Sequence, residues 1–228
     1  MVIHRPIVGA WIRVALTYIL LIATHWFIFG SRFLPVNNAG LLIAVACGTL
    51  YLIAALLGAG YTHLVEYLWH RFVMHKGFKI LAFIKKNHSE HHKALQDEYF
   101  RTRDLERLDK IVTTPVTFPV LLMLHYFAWI GIIALVKLSI GLVIPPEYLI
   151  AFFTGVTIYY WHYETIHWFV HLENNIVDRL MSKNGTTDRI WKKIVAVHKT
   201  HHDHPVSDFN FTPPWIFDRL YKTFRNPK

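Results

Sequence analysis

Ten of the sixteen histidines fall in four short windows: HRFVMH (His70, His75), HSEHH (His88, His91, His92), HWFVH (His167, His171) and HKTHH (His198, His201, His202). On a helix advancing about 100° per residue, spacings of three and four bring side chains back to within about 60° and 40° of one another. His88, His91 and His92 therefore share a face, as do His198, His201 and His202, and His167 with His171. His70 and His75, five apart, point about 140° away from each other on a regular helix. They either serve different ions or sit on a deformed helix. Transition metals in proteins take about four to six ligands each. Ten imidazoles exceed what one ion can use, so two ions are implied if the windows converge.

The other residue types narrow the chemistry. A single cysteine, Cys47, excludes an intramolecular disulfide, a Cys-ligated zinc ribbon and a Cys-bound iron–sulfur cluster. A structural zinc uses about four ligands and a hydrolytic zinc about three beside a carboxylate, far fewer than are present. HExxH is absent, and HYETIH, His162 to His167, has its glutamate one place too late. A redox pair that binds O2 and takes hydrogen from an unactivated C–H bond needs two metals, open positions and a dry setting, which is iron chemistry. The expected cofactors are two non-haem iron ions with O2 as co-substrate, zinc being able to substitute in a purified sample.

Such a site has to be carried by something, and the composition says what. The chain has 228 residues, 54% hydrophobic and 17% charged, too apolar for an ordinary soluble domain. Apolar runs at about 14–30, 40–61, 115–136 and 148–170 each have the roughly 20 residues that a membrane crossing needs. The first is expected to be a permanent anchor, since no small-residue cleavage pattern follows it. Lys and Arg number 10 between Arg71 and Lys110 and 10 between Arg179 and Lys228, against Arg5 and Arg13 before the spans and Arg32 and Lys137 in the short connections. The positive-inside rule then places both termini, both polar blocks and the metal site in the cytoplasm. The same topology accounts for the net charge of +9 without a nucleic-acid partner.

The expected fold is an all-α integral membrane protein, multi-pass, with four transmembrane helices whose cytoplasmic ends extend into a histidine-rich helical cap. Residues 1–228 make one domain, with cap segments at about 71–111 and 171–228. No break interrupts Gly40 to His75, so one helix of about 54 Å carries His70 and His75 out of the bilayer; the fourth span likewise continues through WHYETIHWFVH. Two amphipathic stretches, FKILAFIKK and RIWKKIVAV, precede the triplets, and each either lies in the headgroup plane or packs as a core helix of the cap.

These windows resemble the fatty acid hydroxylase and sterol desaturase superfamily of integral membrane di-iron oxygenases, whose order HX3–4H, HX2HH, HX3H, HX2HH they reproduce from Trp69 to the C-terminus. Tyr163-Glu164, with the acid three places before His167, resembles the family's Tyr-Asp. DFNFTPPWIFDRLYKT resembles its C-terminal trace, with Asp218, Tyr221 and Thr223 in register and with Phe217 and Lys222 departing from it. ENNIVDRLMSKNGTTDR is a longer insertion between the last two boxes, expected to shape the substrate entrance. The related carotenoid hydroxylases use HX4H as third box, which His162 with His167 would fit. On a regular helix His162 lies about 180° from His171 and about 140° from His167, which favours His167 with His171.

Around the boxes, Glu164 and Glu66 are placed to hydrogen-bond a ligand histidine's second nitrogen. His204 reads as a loop residue. His25 and His125 lie within spans, where polar packing competes with a bis-histidine haem. The expected function is a di-iron lipid hydroxylase, a monooxygenase acting on a fatty acyl chain. Alternatives are a desaturase or carotenoid hydroxylase of the same superfamily, or a non-enzymatic membrane metal-binding, transport or haem protein. Since no haem or flavin domain is fused, electrons are expected from a separate reductase or a ferredoxin- or cytochrome-like partner. The expected compartment is a bacterial inner membrane rather than the endoplasmic reticulum.

Overall fold

The computed structural model describes residues 5–30, 41–111, 117–225 and 227. The expected span starts at Gly40 and Pro115, Arg32, and the side chains of Arg5 and Cys47 lie outside this description. The α-helices run in the order α1 (Arg5–Phe29), α2 (Leu41–Leu68), α3 (Ala82–Ala94), α4 (Leu105–Leu108), α5 (Thr117–Ile140), α6 (Pro146–His171), α7 (Ile176–Met181), α8 (Gly185–Asp203) and α9 (Ile216–Leu220). Among the described residues there is no strand beyond an isolated bridge between Thr102 and Leu172.

Among the described residues, three helical stretches are long and apolar enough to cross a membrane: Ile7–Phe29, Gly48–Lys76 and Thr117–Ile140. Their outward side chains suit lipid rather than water, since Leu16, Phe27, Leu52, Leu57, Leu124 and Leu138 are all exposed. The fourth expected span corresponds to α6, whose 26 residues give it the length. Its second half carries His162, Glu164, His167 and His171, so its composition is more polar than that of the other three.

Residues Val8–Thr62 and Thr114–Trp161 form one compact unit. Its core packs Leu21, Leu122, Tyr126 and Phe153. The backbones of α2 and α6 come so close that a Cβ on Gly155 would stand 1.8 Å from the Ala55 carbonyl oxygen, and one on Gly58 1.9 Å from that of Phe152. Glycine permits this approach, a device typical of helices packing in lipid. Polar groups inside this unit are paired: Tyr18 with Thr154 at 2.7 Å, and His25 Nδ1 with the Tyr126 hydroxyl at 2.8 Å. His125 Nδ1 donates to the Leu121 carbonyl of its own helix at 2.7 Å. His25 and His125 thus make polar packing contacts.

The other unit comprises Met1–Ile7, His63–Thr113 and His162–Lys228. Its core packs Phe100, Val170, Trp191, Ile194, Val197, Phe211 and Trp215. Asn175 and Asp178 form a capping box that starts α7. Asp178 also binds Arg101 at 2.7 Å and accepts from Trp191 Nε1 at 2.7 Å. The insertion between the last two boxes is therefore braced onto α8. Of the two readings of RIWKKIVAV, the packed one holds, because Trp191 and Ile194 are buried. In FKILAFIKK only Ile84 is buried, while Phe78, Ile80 and Phe83 are exposed beside Lys79 and Lys86.

Past Leu68 the second helix does not stop; it changes register into a π-helix, Trp69–Lys76. Gly77, at φ +77°, ends it and donates its N–H to the Phe72 carbonyl at 3.0 Å, five residues back. The single long helix expected from Gly40 to His75 is thus realised over its described part, with a local deformation at the first histidine box.

Candidate metal centre

In a helix bonded i→i+5, residues five apart lie over one another. The π-helix therefore turns His70 and His75 to one side, with ring centroids 5.0 Å apart. Of the two readings of their spacing, the deformed helix is the one found, and both residues join the same group.

His70, His75, His88, His92 and His201 form one group whose nitrogens lie within 4.8 Å of one another; His91, His171, His198 and His202 form a second. Each triplet feeds both. From α3, His88 and His92 enter the first group and His91 the second; from α8, His201 enters the first, and His198 and His202 the second. The His92 and His202 rings stack at 4.2 Å where the groups adjoin. His167 lies outside both, yet its ring is 4.8 to 5.2 Å from those of His91, His171 and His198, and its Nε2 is buried without a hydrogen-bond partner.

The backbone sets three of the tautomers. Nδ1 of His70, His171 and His201 donates to the carbonyls of Phe209, Phe100 and Ser207 respectively, each at 2.7 Å. Their neutral Nε2 atoms are then lone-pair donors. Within the first group His88 Nε2 is 3.1 Å from His70 Nε2 and 3.0 Å from Nε2 of both His75 and His92, and His201 Nε2 is 3.2 Å from His75 and His92. In the second, His198 Nε2 is 3.0 Å from His171 and 3.2 Å from His202, which is 3.2 Å from His91. A nitrogen carrying at most one proton cannot satisfy three nitrogen neighbours. Facing lone pairs at this range repel unless a cation lies among them. Ligands about 2.1 Å from a common centre and at right angles are about 3.0 Å apart, so the donor set fits a metal in each group.

The surroundings keep these rings neutral. Burial first, and the neighbouring imidazoles second, push His88, His91, His198, His201 and His202 well below the usual histidine range, and His92 down to about 3. The walls are aromatic. Phe209 packs against His70, His75 and His201, Phe211 against His167 and His198, and Phe100 against His171, His198 and His202.

The residues considered beyond the ten stand as follows. Glu66 accepts from the Phe211 N–H at 2.6 Å and lies 3.4 Å from His63 Nδ1, while the Nδ1 of His70 goes to the Phe209 carbonyl. Glu164 is buried on α6 three residues before His167. His162 and His204 fall outside both groups. The carbonyl partners Phe100, Ser207 and Phe209 escape a reading by side-chain type, because their contribution depends on the path of the backbone. A surface cavity of about 1050 Å³, lined by Arg101, Asp178, Trp191, Lys192 and Lys199, backs onto Phe100 and contains none of the ten histidines.

A helical chain with helices long and apolar enough to cross a membrane and two adjoining histidine groups that could each hold a metal ion is, in type, a membrane protein with a candidate metal centre. The family model for fatty acid hydroxylase matches residues 55–223, and the chain belongs to that family, within the sterol desaturase and fatty acid hydroxylase superfamily. Neither a curated protein nor a solved structure matches the chain significantly.

Proposed function

We propose that the chain is an O2-dependent di-iron monooxygenase that hydroxylates an unactivated C–H bond of a fatty acyl chain. The observation that carries this reading is the pair of buried imidazole groups with Nε2 atoms 3.0 to 3.2 Å apart. One ion would be held by His70, His75, His88, His92 and His201, the other by His91, His171, His198 and His202, with His167 turned toward the second group as a further donor. Two iron ions there would supply reduction of O2 and removal of hydrogen from the acyl chain.

The protein's own part is to present neutral imidazoles, fix their tautomers through backbone carbonyls, and keep water out with Phe100, Phe209 and Phe211. The overall change, R–H + O2 + 2 e⁻ + 2 H⁺ → R–OH + H2O, needs two external electrons. A separate reductase or a ferredoxin- or cytochrome-like donor would bring them. We place the site and both termini in the cytoplasm of a bacterial cell, with α6 as a fourth span, on the strength of the basic residues flanking the cap.

The deciding experiment is lipid analysis of a host expressing the protein under air and under nitrogen, combined with metal analysis of the purified protein. Expected are an O2-dependent acyl species heavier by one oxygen and about two iron ions per chain. His88→Ala, which removes a nitrogen within about 3 Å of three others, is expected to abolish the new species and lower the metal content toward one. A product lighter by two hydrogens would make the protein a desaturase. One ion or fewer in wild type, or an unchanged lipid profile, would refute the oxygenase reading.

A further inference from the structure

Residues 207–211, Ser-Asp-Phe-Asn-Phe, belong to no helix or strand, yet they contact His70, His75 and His201 of the first histidine group. The Ser207 carbonyl takes the Nδ1 proton of His201 from α8, and the Phe209 carbonyl takes that of His70 from the π-helix, each at 2.7 Å. The Phe209 ring covers His70, His75 and His201. Two carbonyls two residues apart thus set the tautomer and aim of two histidines 131 positions apart in sequence.

An irregular segment does not hold two carbonyls in place by itself, since its backbone lacks the repeating bonds of a helix. Here the anchor is a carboxylate. Asp218, fully buried at the start of α9, accepts the N–H of Phe209 at 2.8 Å on one oxygen and that of Asn210 at 2.6 Å on the other. The Thr223 hydroxyl donates to the first oxygen at 2.7 Å. Glu66, one helical turn before His70, accepts the N–H of Phe211 at 2.6 Å and completes the clamp. The second group does not use this segment for its tautomer: its carbonyl anchor is Phe100, beside the bridge between Thr102 and Leu172, where Thr102 N–H donates to the His171 carbonyl at 2.9 Å.

We propose that Asp218 is a positioning residue for the five-histidine half of the site, acting through the Ser207 and Phe209 carbonyls on His201 and His70. It rests on the metal reading given above, and it adds an asymmetry: loss of the carboxylate should disable one ion and spare the other. Outer partners of metal-bound histidines typically change metal affinity by about 10- to 100-fold when removed.

The test is a Co(II) titration of the full chain, metal-stripped in detergent, read by its visible absorption bands. Wild type is expected to take two equivalents. Asp218→Asn, which keeps the shape and puts an NH2 against one backbone N–H, is expected to bind one equivalent with wild-type affinity and spectrum and the second at least about tenfold more weakly. Two wild-type sites in the variant, or both weakened alike, would overturn the proposal. Should Asp218→Asn not fold, Thr223→Val, which removes the hydroxyl that donates to the Asp218 carboxylate, decides by the same criteria, with selective loss supporting and two intact sites overturning. Wild type that binds no cobalt would refute the metal reading and this inference with it, whereas normal wild-type binding with an unchanged variant refutes this inference alone.

Discussion

A buried neutral imidazole resists protonation, and that resistance has a sign that can be measured. Burial lowers the pKa of His88, His91, His198, His201 and His202, and brings His92 to about 3, in the folded protein. Below the unfolded value of about 6.5 the unfolded chain binds more protons, so stability is lost as pH falls from there toward the folded values, by up to about 1.4 kcal/mol per pH unit for each such group. Asp218 opposes this: burial raises its carboxyl from 3.8 to about 6, which makes stability fall as pH rises through that interval. One carboxyl against six histidines leaves the histidine sign in control. Metal-free protein is therefore expected to melt at progressively lower temperature from pH 7.5 to pH 5 by tryptophan fluorescence, and bound metal, which holds the same imidazoles unprotonated, is expected to raise the melting temperature without removing that dependence. Higher stability at pH 5 would contradict the burial of neutral imidazoles. Nine of the ten histidines singled out by type and spacing fall in the two groups, with His167 beside the second, since ligand chemistry is written in side chains. The carbonyls of Phe100, Ser207 and Phe209 were not legible in this way, because any residue has one and only the fold aims it.

Helices divide in the same way between what periodicity reveals and what packing decides. The apolar runs and their unbroken continuation past Tyr61 and through His171 could be read from composition alone. The π-register at Trp69–Lys76 was open in sequence, because five-residue spacing suits either two separate faces or a wider turn. Contact with four other histidine rings, His88, His92, His201 and His70, is what makes the wider turn the useful one for His75. Close packing of α2 on α6 could not be read either, since Gly58 and Gly155 are two of 11 glycines and nothing local marks them. Gly155→Leu drives side-chain carbon into the Ala55 carbonyl and is expected to cost about 1–3 kcal/mol, with a lower melting temperature in detergent. Gly131→Leu is the matched control, for a Cβ at that position would meet no atom within 4 Å; equal loss in both variants would contradict the glycine contact. At the cap, Ile80 is 91% exposed, with Phe78 and Phe83 beside it and lysines around them, directly after the helical stretch Gly48–Lys76. An environment-sensitive fluorophore on Ile80→Cys is expected to shift to the blue in liposomes, and the same fluorophore on the buffer-exposed Lys192→Cys is not; equal spectra would place both sites in water.

The proposed four membrane crossings rest on a parity argument that composition alone cannot supply. Nε2 of His91 on α3 and of His202 on α8 are 3.2 Å apart, so α3 and α8 lie on one side of the membrane. A chain that leaves α3 at Ala94 and returns to α8 at Gly185 must cross an even number of times in between. Within that interval α5 is apolar enough to cross once, and α6 is the one other described helix long enough to bring the chain back. In the proposed topology its polar second half would be the part that leaves the hydrocarbon toward the histidines. If α1 and α2 are the other two crossings, as proposed, both termini would fall on the side of the cap. The 10 basic residues from Arg71 to Lys110 and the 10 from Arg179 to Lys228, against Lys137 alone where α5 ends and α6 has yet to begin, are the basis of the proposal that this side faces the cytoplasm. Alkaline phosphatase, active only outside the bacterial cytoplasm, is expected to be active when fused after Gly141 and inactive when fused after Lys228. Activity at both points would mean that α6 does not return and would refute the proposed fourth crossing; inactivity at both would mean that α5 does not cross, and the protein would then sit on the membrane by α1 and α2.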